Sequence, residues 1–574
     1  MYTACYNPLE EEYDAIVVGT GISGGWAAKE LCENGLKTLV LERGRMIKHI
    51  EDYHTAHKDP WDFPNGDDIA SNETIKRKPK QHRTNYVTNE GHQHFFVDDL
   101  KHHYNEDRRF DWIRGYHVGG RSLTWGRLSL RWSDIDFEAN KKEGIAVDWP
   151  VRYKDIAPWY DHVEEYIGVS GENLGLEQLP DGKYLKPMNM NCVEEHLKEK
   201  IAEEYDDRVL TIGRIAHITE GTKPGLGRST CQYRDRCMRG CPYGAYFSSN
   251  SSTLPAAGAT GNMTLRPNSI VHEVIYDDKT KKATGVRVID SETRETFVYK
   301  AKIIFLCASA IASTSILLQS KSERFPNGLG NDSGELGHNI MDHHFRVGAR
   351  AVAEGFEDKY VKGRRANAIY IPRFRNLGGK TDQKTFKRGY GLQGGAYKAD
   401  VTETIAELKY GPKLKEAILK PGQWQINFTG FGEVLPDHNN RMYLDYDKLD
   451  EWGLPTVTFD AGFGENELAM RKDIQEQAIE VLKAGGFKDI EGYDLKEAHA
   501  LGLGIHEMGT ARMGHDPKTS VLNKYNQIHT CTNVYVTDGA FMTSSACQNP
   551  SLTYMAFTAR AANHAAKEFK KNNA

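Results

Sequence analysis

Hydrophobic and polar positions change period several times along the chain, and each change predicts an element. Residues 13–18 form a short apolar run with glycines directly after it, the pattern of a buried strand entering a tight turn. A helical stretch follows over 23–34 and a second strand over 37–41, so the chain opens as strand–helix–strand. From about 50 to 110 the pattern dissolves into His, Asp and Lys, which predicts a long covering excursion with few regular elements. Glycines crowd again over 115–126. Residues 263–289 alternate Val, Ile and Arg about the turn-like Asp277-Asp278-Lys279, and 303–319 read as a strand running into a helix. Between about 347 and 500, alternating stretches such as 424–431 and 442–446 predict a separate β-sheet unit. Residues 502–514, 534–539 and a helix over 551–569 return to the glycine-rich style of the start. The order predicts an α/β nucleotide-binding unit that is interrupted by a second unit and completed at the C-terminal end.

Composition narrows the class without naming a function. At about 150 residues per domain, 574 residues and 64.7 kDa amount to about four folding units, or to one large domain carrying inserted segments. With 39% hydrophobic and 27% charged residues the chain is globular, not disordered. A net charge of −5 and a pI near 6.5 give no basis for binding nucleic acid or an anionic membrane. Mean hydropathy is −0.61 and no 18-residue apolar run exists, which excludes a transmembrane helix. The N-terminal stretch lacks the basic-then-apolar layout of a signal peptide, and Cys5 has no apolar stretch before it for a lipid anchor. Nine cysteines over this length are no disulfide scaffold, yet Cys231, Cys237 and Cys241 fall within eleven residues.

Gly19-Thr20-Gly21-Ile22-Ser23-Gly24 is G-x-G-x-x-G placed between the first strand and the first helix. Such glycines permit the tight turn, the approach of a pyrophosphate and close strand–helix packing, while the helix N-terminus offers free N–H groups to phosphates. Glu42, with Arg43 beside it, ends the second strand 23 residues after Gly19, where a carboxylate can accept from ribose hydroxyls. Glycine-rich turns occur by chance; strand, glycines, helix, strand and acid in register do not occur often.

Several segments then carry a resemblance. Val118-Gly119-Gly120-Arg121-Ser122-Leu123-Thr124-Trp125-Gly126, Leu306-Cys307-Ala308-Ser309-Ala310, His506-Glu507-Met508-Gly509-Thr510 and Gln548-Asn549-Pro550-Ser551 resemble the glucose–methanol–choline (GMC) family of flavoproteins, in family order and spacing. The resemblance implies bound FAD, a discontinuous Rossmann-like FAD domain over 10–345 and 500–574, and an inserted β-sheet substrate domain over 346–499. It implies that the Gly119–Gly120 pair with Ser122, Trp125 and Gly126 lies along the flavin, that Val271 flanks the adenine, and that Asp538-Gly539 holds the ribityl-pyrophosphate. Ile22, Ser23, Cys307, Ala308, Pro550 and Ser551 belong to the same cofactor set. In the pyranose-oxidase branch a histidine two residues after the corresponding serine tethers the flavin; Thr124 stands there in this chain, so FAD is expected to be non-covalent.

Oxidising an alcohol removes a hydroxyl proton and a carbon-bound hydride. An imidazole is suited to the proton, and the protein's remaining task is to align the donor carbon with the acceptor. His506 matches the family's catalytic histidine and Asn549 the second position of its pair; an asparagine cannot act as a base, so it is expected to hold the substrate oxygen. A histidine taken at random among 22 is more often structural, and His343 and His344 remain open as substrate contacts or packed residues.

Cys231, Cys237 and Cys241 have C-x5-C-x3-C spacing followed by Pro242. Three thiolates suit a [3Fe–4S] cluster; structural zinc usually wants a fourth protein ligand, for which Cys192 is the nearest cysteine in sequence. Free thiols, or one disulfide with a thiol left over, are the plain alternative. Arg234, Arg236 and Arg239 could offset a thiolate cluster's charge. The loop is similar to one in electron-transferring sugar dehydrogenases of the GMC family, including FAD glucose and fructose dehydrogenases. Over the wider set of motifs the chain resembles glucoside 3-dehydrogenase and gluconate 2-dehydrogenase subunits, and residues 337–344 resemble a stretch near the substrate domain of those enzymes. That resemblance implies a dehydrogenase acting on a sugar or glycoside hydroxyl at carbon 3, a small partner subunit, a cytochrome c-type acceptor, and periplasmic location by co-export with the partner. The absence of C-x-x-C-H means that any haem lies on another chain. The alternatives are a sugar oxidase forming hydrogen peroxide, a gluconate or polyol dehydrogenase, and a cofactor-free binding protein on the same fold.

Overall fold

The N-terminal strand β1 (Glu12–Val18) lies inside an eight-stranded sheet. The structure, a computed structural model, describes residues 12–573 apart from 65, 85, 360–366, 400–410, 413 and 416–421. Helix α1 (Ile22–Glu33) and strand β2 (Thr38–Leu41) complete the opening unit, each within a residue or so of the boundaries expected from sequence. β1 pairs in parallel with β2 on one side (Ala15 opposite Thr38) and with Thr296–Leu306 on the other (Val18 opposite Leu306). Its side chains feed two cores: Ile16 and Val18 pack on one face, Ala15 and Val17 on the other with Ala27, Leu31 and Leu36. A strand covered on both faces has no polar alternation, which is why it reads as a continuous apolar run.

The sheet continues through Met263–Arg266 beyond β2, and through Cys531–Val536 and Gln527–Ile528 beyond Thr296–Leu306. The chain therefore returns to it from three distant stretches of sequence. Ser269–Asp277 and Lys282–Asp290 form a hairpin around the turn expected at 277–279, and Lys282–Asp290 joins it to the sheet by pairing with Thr296–Leu306. The final helix, Ser551–Asn573, packs on α1, where Ala561, Ala562, Ala565 and Ala566 face Ala27 and Ala28 and permit a close approach.

A second, antiparallel sheet runs in the order Lys488–Asp494, Val347–Ala353, Trp424–Gly432, Tyr390–Lys398, Ile369–Ile371 and Thr211–Ile212. Trp424, Ile426 and Phe428 alternate into its core. The 20-residue helix Glu465–Ala484 covers that face with Met470, Ile474, Ala478 and Val481, spaced by four, four and three. The sequence pattern, read for strands through this region, did not mark that helix.

The excursion over 50–110 holds mostly 3₁₀ turns and one short helix, Asn72–Arg77, capped by Ser71, whose Oγ accepts from the Thr74 N–H at 3.1 Å. It carries a core of its own, Tyr53, Val87 and Phe95 with Ile113, closing over Leu123 of the glycine-rich segment. At its end Asn105–Glu106 pairs with Pro455–Asp460, and Phe110 stacks on Phe459 with ring centroids 4.1 Å apart. The excursion is thereby stitched to both units. Among the described residues no helix is long and apolar enough to cross a membrane.

Candidate active site

Strand β1 delivers the chain into its first turn at Gly19, whose φ is +97° and whose added Cβ would lie 2.4 Å from the Cys307 carbonyl oxygen. Gly24 lets α1 rest on that turn, since a Cβ there would come within 1.9 Å of the Gly19 oxygen. Gly21, between them, opens onto a cavity of about 420 Å³.

The cavity runs along the first sheet's strand ends. Gly19, Gly21, Ile22 and Ser23 line it, as do Glu42, Arg43 and Val271. The strand bearing Val271 adjoins Glu42, with Ser269 N–H donating to the Glu42 carbonyl at 2.8 Å. Gly120, Ser122, Thr124, Trp125 and Gly126 form another part of the wall; Cys307, Ala308, Asp538, Gly539 and Ser551 a third. His506 and Asn549 complete it. Three residues of the expected cofactor set do not line the cavity. Gly24 is packed beneath Gly19, Gly119 lies against Asn250, and Pro550 starts the last helix by accepting the Tyr554 N–H at 2.9 Å.

Glycine backbone and a helix N-terminus as donors, with buried acids as acceptors along one cavity, are what a dinucleotide needs. Glu42 accepts from the Thr20 N–H at 3.1 Å and the Thr20 hydroxyl at 2.5 Å, and its other oxygen accepts from the Gly44 N–H at 3.1 Å. Burial pushes its carboxyl up to about 7 and that of Asp538 up to about 6. Asp538 accepts from Ser313 Oγ and from the Ala540 N–H at 3.0 Å. Both acids are thus oriented by the protein itself.

At the other extremity His506 is half-buried, in a loop pinned by Asp342. One Asp342 oxygen accepts from the N–H groups of Gly502 at 2.8 Å and Gly504 at 2.9 Å; the other accepts from the His506 N–H at 2.9 Å. These bonds hold Ile505, a β-branched residue, at φ +59° directly before His506. Burial, with the charge of Glu507 adding to it, raises the Asp342 carboxyl to about 7. Arg121 pairs with Glu507 through two bonds of 2.7 and 3.2 Å, fixing the glycine-rich segment against the same loop.

The His506 ring is held on both nitrogens. Nδ1 lies 2.9 Å from His343 Nδ1, and Nε2 lies 3.4 Å from Asn549 Nδ2. Burial, then the neighbouring His343 and Arg121, depresses its pKa well below the ordinary histidine value, so it is neutral at pH 7. Gln393, from the second sheet, donates to Asn549 Oδ1 at 2.6 Å. Sequence patterns singled out His506 and Asn549 but not Gln393, Asp342 or the Arg121–Glu507 pair; Gln393 has no motif, and only the register of its strand brings it here. His343 and His344 do not line the cavity. His343 is packed behind His506, and both His344 ring nitrogens lack hydrogen-bond partners.

None of the cysteine loop's thiols lines the cavity, although its turn Cys237–Arg239 packs against the Gly120–Leu123 turn of the cavity wall. Cys231 is buried, Cys237 and Cys241 half-buried, and all three are free thiols. Burial raises Cys231 and pushes Cys237 up to about 11, and each of the two feels the charge of Cys241. His217 Nε2 lies 3.7 Å from Cys237 Sγ. The donor chemistry suits iron or zinc, but among the described residues no three or more His, Cys, Asp or Glu side chains are gathered as a metal's ligands. The arginines are committed elsewhere than expected: Arg236 pairs with Asp59 and Arg239 with Asp67, both acids from the excursion, while Arg234 lies over the Tyr243 ring. The nearby Tyr246 hydroxyl donates to the Leu123 carbonyl at 2.7 Å, linking this region to the cavity wall.

The cavity is the kind a nucleotide cofactor fits and ends at the pair of half-buried His506 and buried Asn549; comparison with known proteins gives the class. Two models described as GMC oxidoreductase match residues 226–345 and 436–558. The chain is 26% identical to 2-methyl-1,2-propanediol dehydrogenase of Mycolicibacterium austroafricanum, over 97% of this chain and 96% of that protein. It is 26% identical to the fructose dehydrogenase large subunit of Gluconobacter japonicus (97% and 98% covered). With gluconate 2-dehydrogenase flavoprotein of Pantoea cypripedii it shares 23% identity (98% and 95%). Among solved structures, an Aspergillus oryzae formate oxidase variant superposes with a TM-score of 0.62 at 14% identity, covering 98% of this chain and 100% of the other, which speaks for the fold. The chain belongs to the GMC oxidoreductase family. It has that family's mixed α/β FAD-binding fold and is an FAD-dependent oxidoreductase acting on CH–OH donors.

Proposed function

We propose that this enzyme is a dehydrogenase that oxidises a secondary alcohol of a sugar or glycoside, with the carbon-3 hydroxyl of a glycoside as the favoured site. The observation that carries the reading is the His506–Asn549 pair at the cavity wall, with His506 neutral and Nε2 on the Asn549 side. Bound FAD supplies the two-electron acceptor for the hydride. His506 Nε2 takes the hydroxyl proton, and Asn549 Nδ2 orients the substrate oxygen. Gln393, bonded to Asn549 Oδ1, holds that amide in the cavity wall. Gly19, Gly21, Ser23 and Asp538 would hold the pyrophosphate side, Glu42, Arg43 and Val271 the adenosine, and Thr124 to Gly126 the ring. FAD would be non-covalent, since the Thr124 hydroxyl offers no histidyl link.

Cys231, Cys237 and Cys241 would hold a [3Fe–4S] cluster, which would supply a one-electron relay toward a cytochrome on a partner subunit. Support comes from the C-x5-C-x3-C spacing of the three cysteines and from a relative named a large subunit. Periplasmic action, by export with that partner, belongs to the same reading. An oxidase is the second reading, favoured by full-length similarity to paromamine 6'-oxidase of Streptomyces fradiae (26% identical over 96% of this chain). Iron and acid-labile sulfide analysis with oxygen-uptake assays separates the two. About three irons per chain with little peroxide formed supports the relay; iron-free protein with stoichiometric peroxide supports the oxidase.

A further inference from the structure

We propose that His343 is a positioning residue that sets the tautomer of His506, placing its proton on Nδ1 and its lone pair on Nε2. The inference rests on the reading of His506 as the base, and it follows from the hydrogen-bond sense of two neutral imidazoles.

His343 is 1% exposed. Its Nε2 lies 3.0 Å from the Ala546 carbonyl oxygen and 3.2 Å from that of Ser545. Backbone carbonyls only accept, so His343 Nε2 carries a hydrogen. Burial depresses the His343 pKa to about 4, so the ring is neutral at pH 7 and Nδ1 holds a lone pair. The partner of that lone pair is His506 Nδ1, at 2.9 Å, which must donate. A neutral His506 with its hydrogen on Nδ1 presents an unprotonated Nε2 on the Asn549 side. The opposite sense would set a His343 lone pair against two carbonyl oxygens in a buried site.

The amide side cannot decide the matter. Gln393 and Asn549 could exchange donor and acceptor roles together by turning both amides. The Ser545 and Ala546 carbonyls have no such freedom, so the sense of the whole chain is fixed at the His343 end. An imidazole left to choose would divide between tautomers, and only the one with Nε2 free can take a proton from a substrate on the Asn549 side. Orienting a base through its second ring nitrogen is general chemistry for histidine; here a second neutral histidine anchored on backbone provides it.

The test is nitrogen-15 spectroscopy of histidine-labelled holoenzyme at pH 7, with the His506 signals assigned by their loss in His506→Asn. The expected result is a protonated Nδ1 and an unprotonated Nε2. In His343→Leu the signals move to a tautomer mixture and kcat falls by about 10²-fold. His343→Gln, which can still accept from His506 and donate to a carbonyl, restores both readouts. An Nε2-protonated His506 in the wild-type protein overturns the proposal, as does an unchanged tautomer in a folded, FAD-replete His343→Leu. The wild-type spectrum alone decides if that variant does not fold. The two readings fail separately: an expected tautomer with full turnover in His506→Ala refutes the base but not the tautomer lock. The wrong tautomer with turnover abolished in His506→Ala refutes the lock but not the base.

Discussion

At the scale of single residues, His506 is the proposed base. His506→Ala is predicted to lower the rate of substrate oxidation by about 10²–10⁴-fold while FAD stays bound, because the ring closes the cavity wall without supporting the glycine turn. Stopped-flow rates with FAD content measured on the same sample check both parts. Asn549→Ala should slow the same step less, since it removes an orienting donor and not the base. The pH dependence has a definite sign. The base must be neutral to act, and burial with His343 and Arg121 nearby depresses its pKa well below 6.5. kcat/KM should therefore hold level as pH falls through 6.5 and decline only at more acid values. An acid limb at or above 6.5 would contradict this environment.

At the scale of elements, the strand–turn–helix unit and the second sheet each present one part of the site. Gly24→Ala would force a Cβ into the Gly19 carbonyl, and overpacking of this kind costs about 1–3 kcal/mol. The expected outcome is a lower melting temperature with loss of FAD, read by thermal denaturation monitored through flavin fluorescence. Gln393→Ala should reduce kcat/KM by about 2–10-fold, the value of one net hydrogen bond, with FAD content unchanged. These two elements also differ in how far the sequence discloses them. β1, α1 and β2 are legible because local pattern suffices: a doubly buried strand, glycines at fixed offsets, then helical spacing. His506 and Asn549 are legible because they stand in motifs at fixed spacing. Gln393 is not, because its place at the site is created by strand register across 156 residues of sequence from Asn549. The helix Glu465–Ala484 escaped because its apolar stripe is narrow and interrupted by charged residues, amid a region read for strands. The partners of Arg236 and Arg239 in the cysteine loop were not legible for a related reason: their acids, Asp59 and Asp67, arrive from a distant excursion with no periodicity.

At the scale of the whole molecule, one sheet assembled from three separate stretches forms the cavity, the second sheet brings in Gln393, and the excursion covers the seam. The excursion also holds the cysteine loop, through Arg236–Asp59 and Arg239–Asp67, so the cavity and the thiols are parts of one structure. Cys237→Ser is predicted to leave reduction by substrate unchanged and to abolish electron delivery to a cytochrome; untouched cytochrome reduction would refute the relay. The central claim is that a sugar alcohol is oxidised at His506. It is tested most directly by mixing the FAD-replete protein anaerobically with a glycoside and following the flavin's visible absorbance, in wild type and His506→Ala. The expected result is rapid bleaching in the wild-type protein and persistent flavin bands in the variant. Equal bleaching in both would contradict it, as would a wild-type protein that no glycoside, gluconate or polyol can bleach.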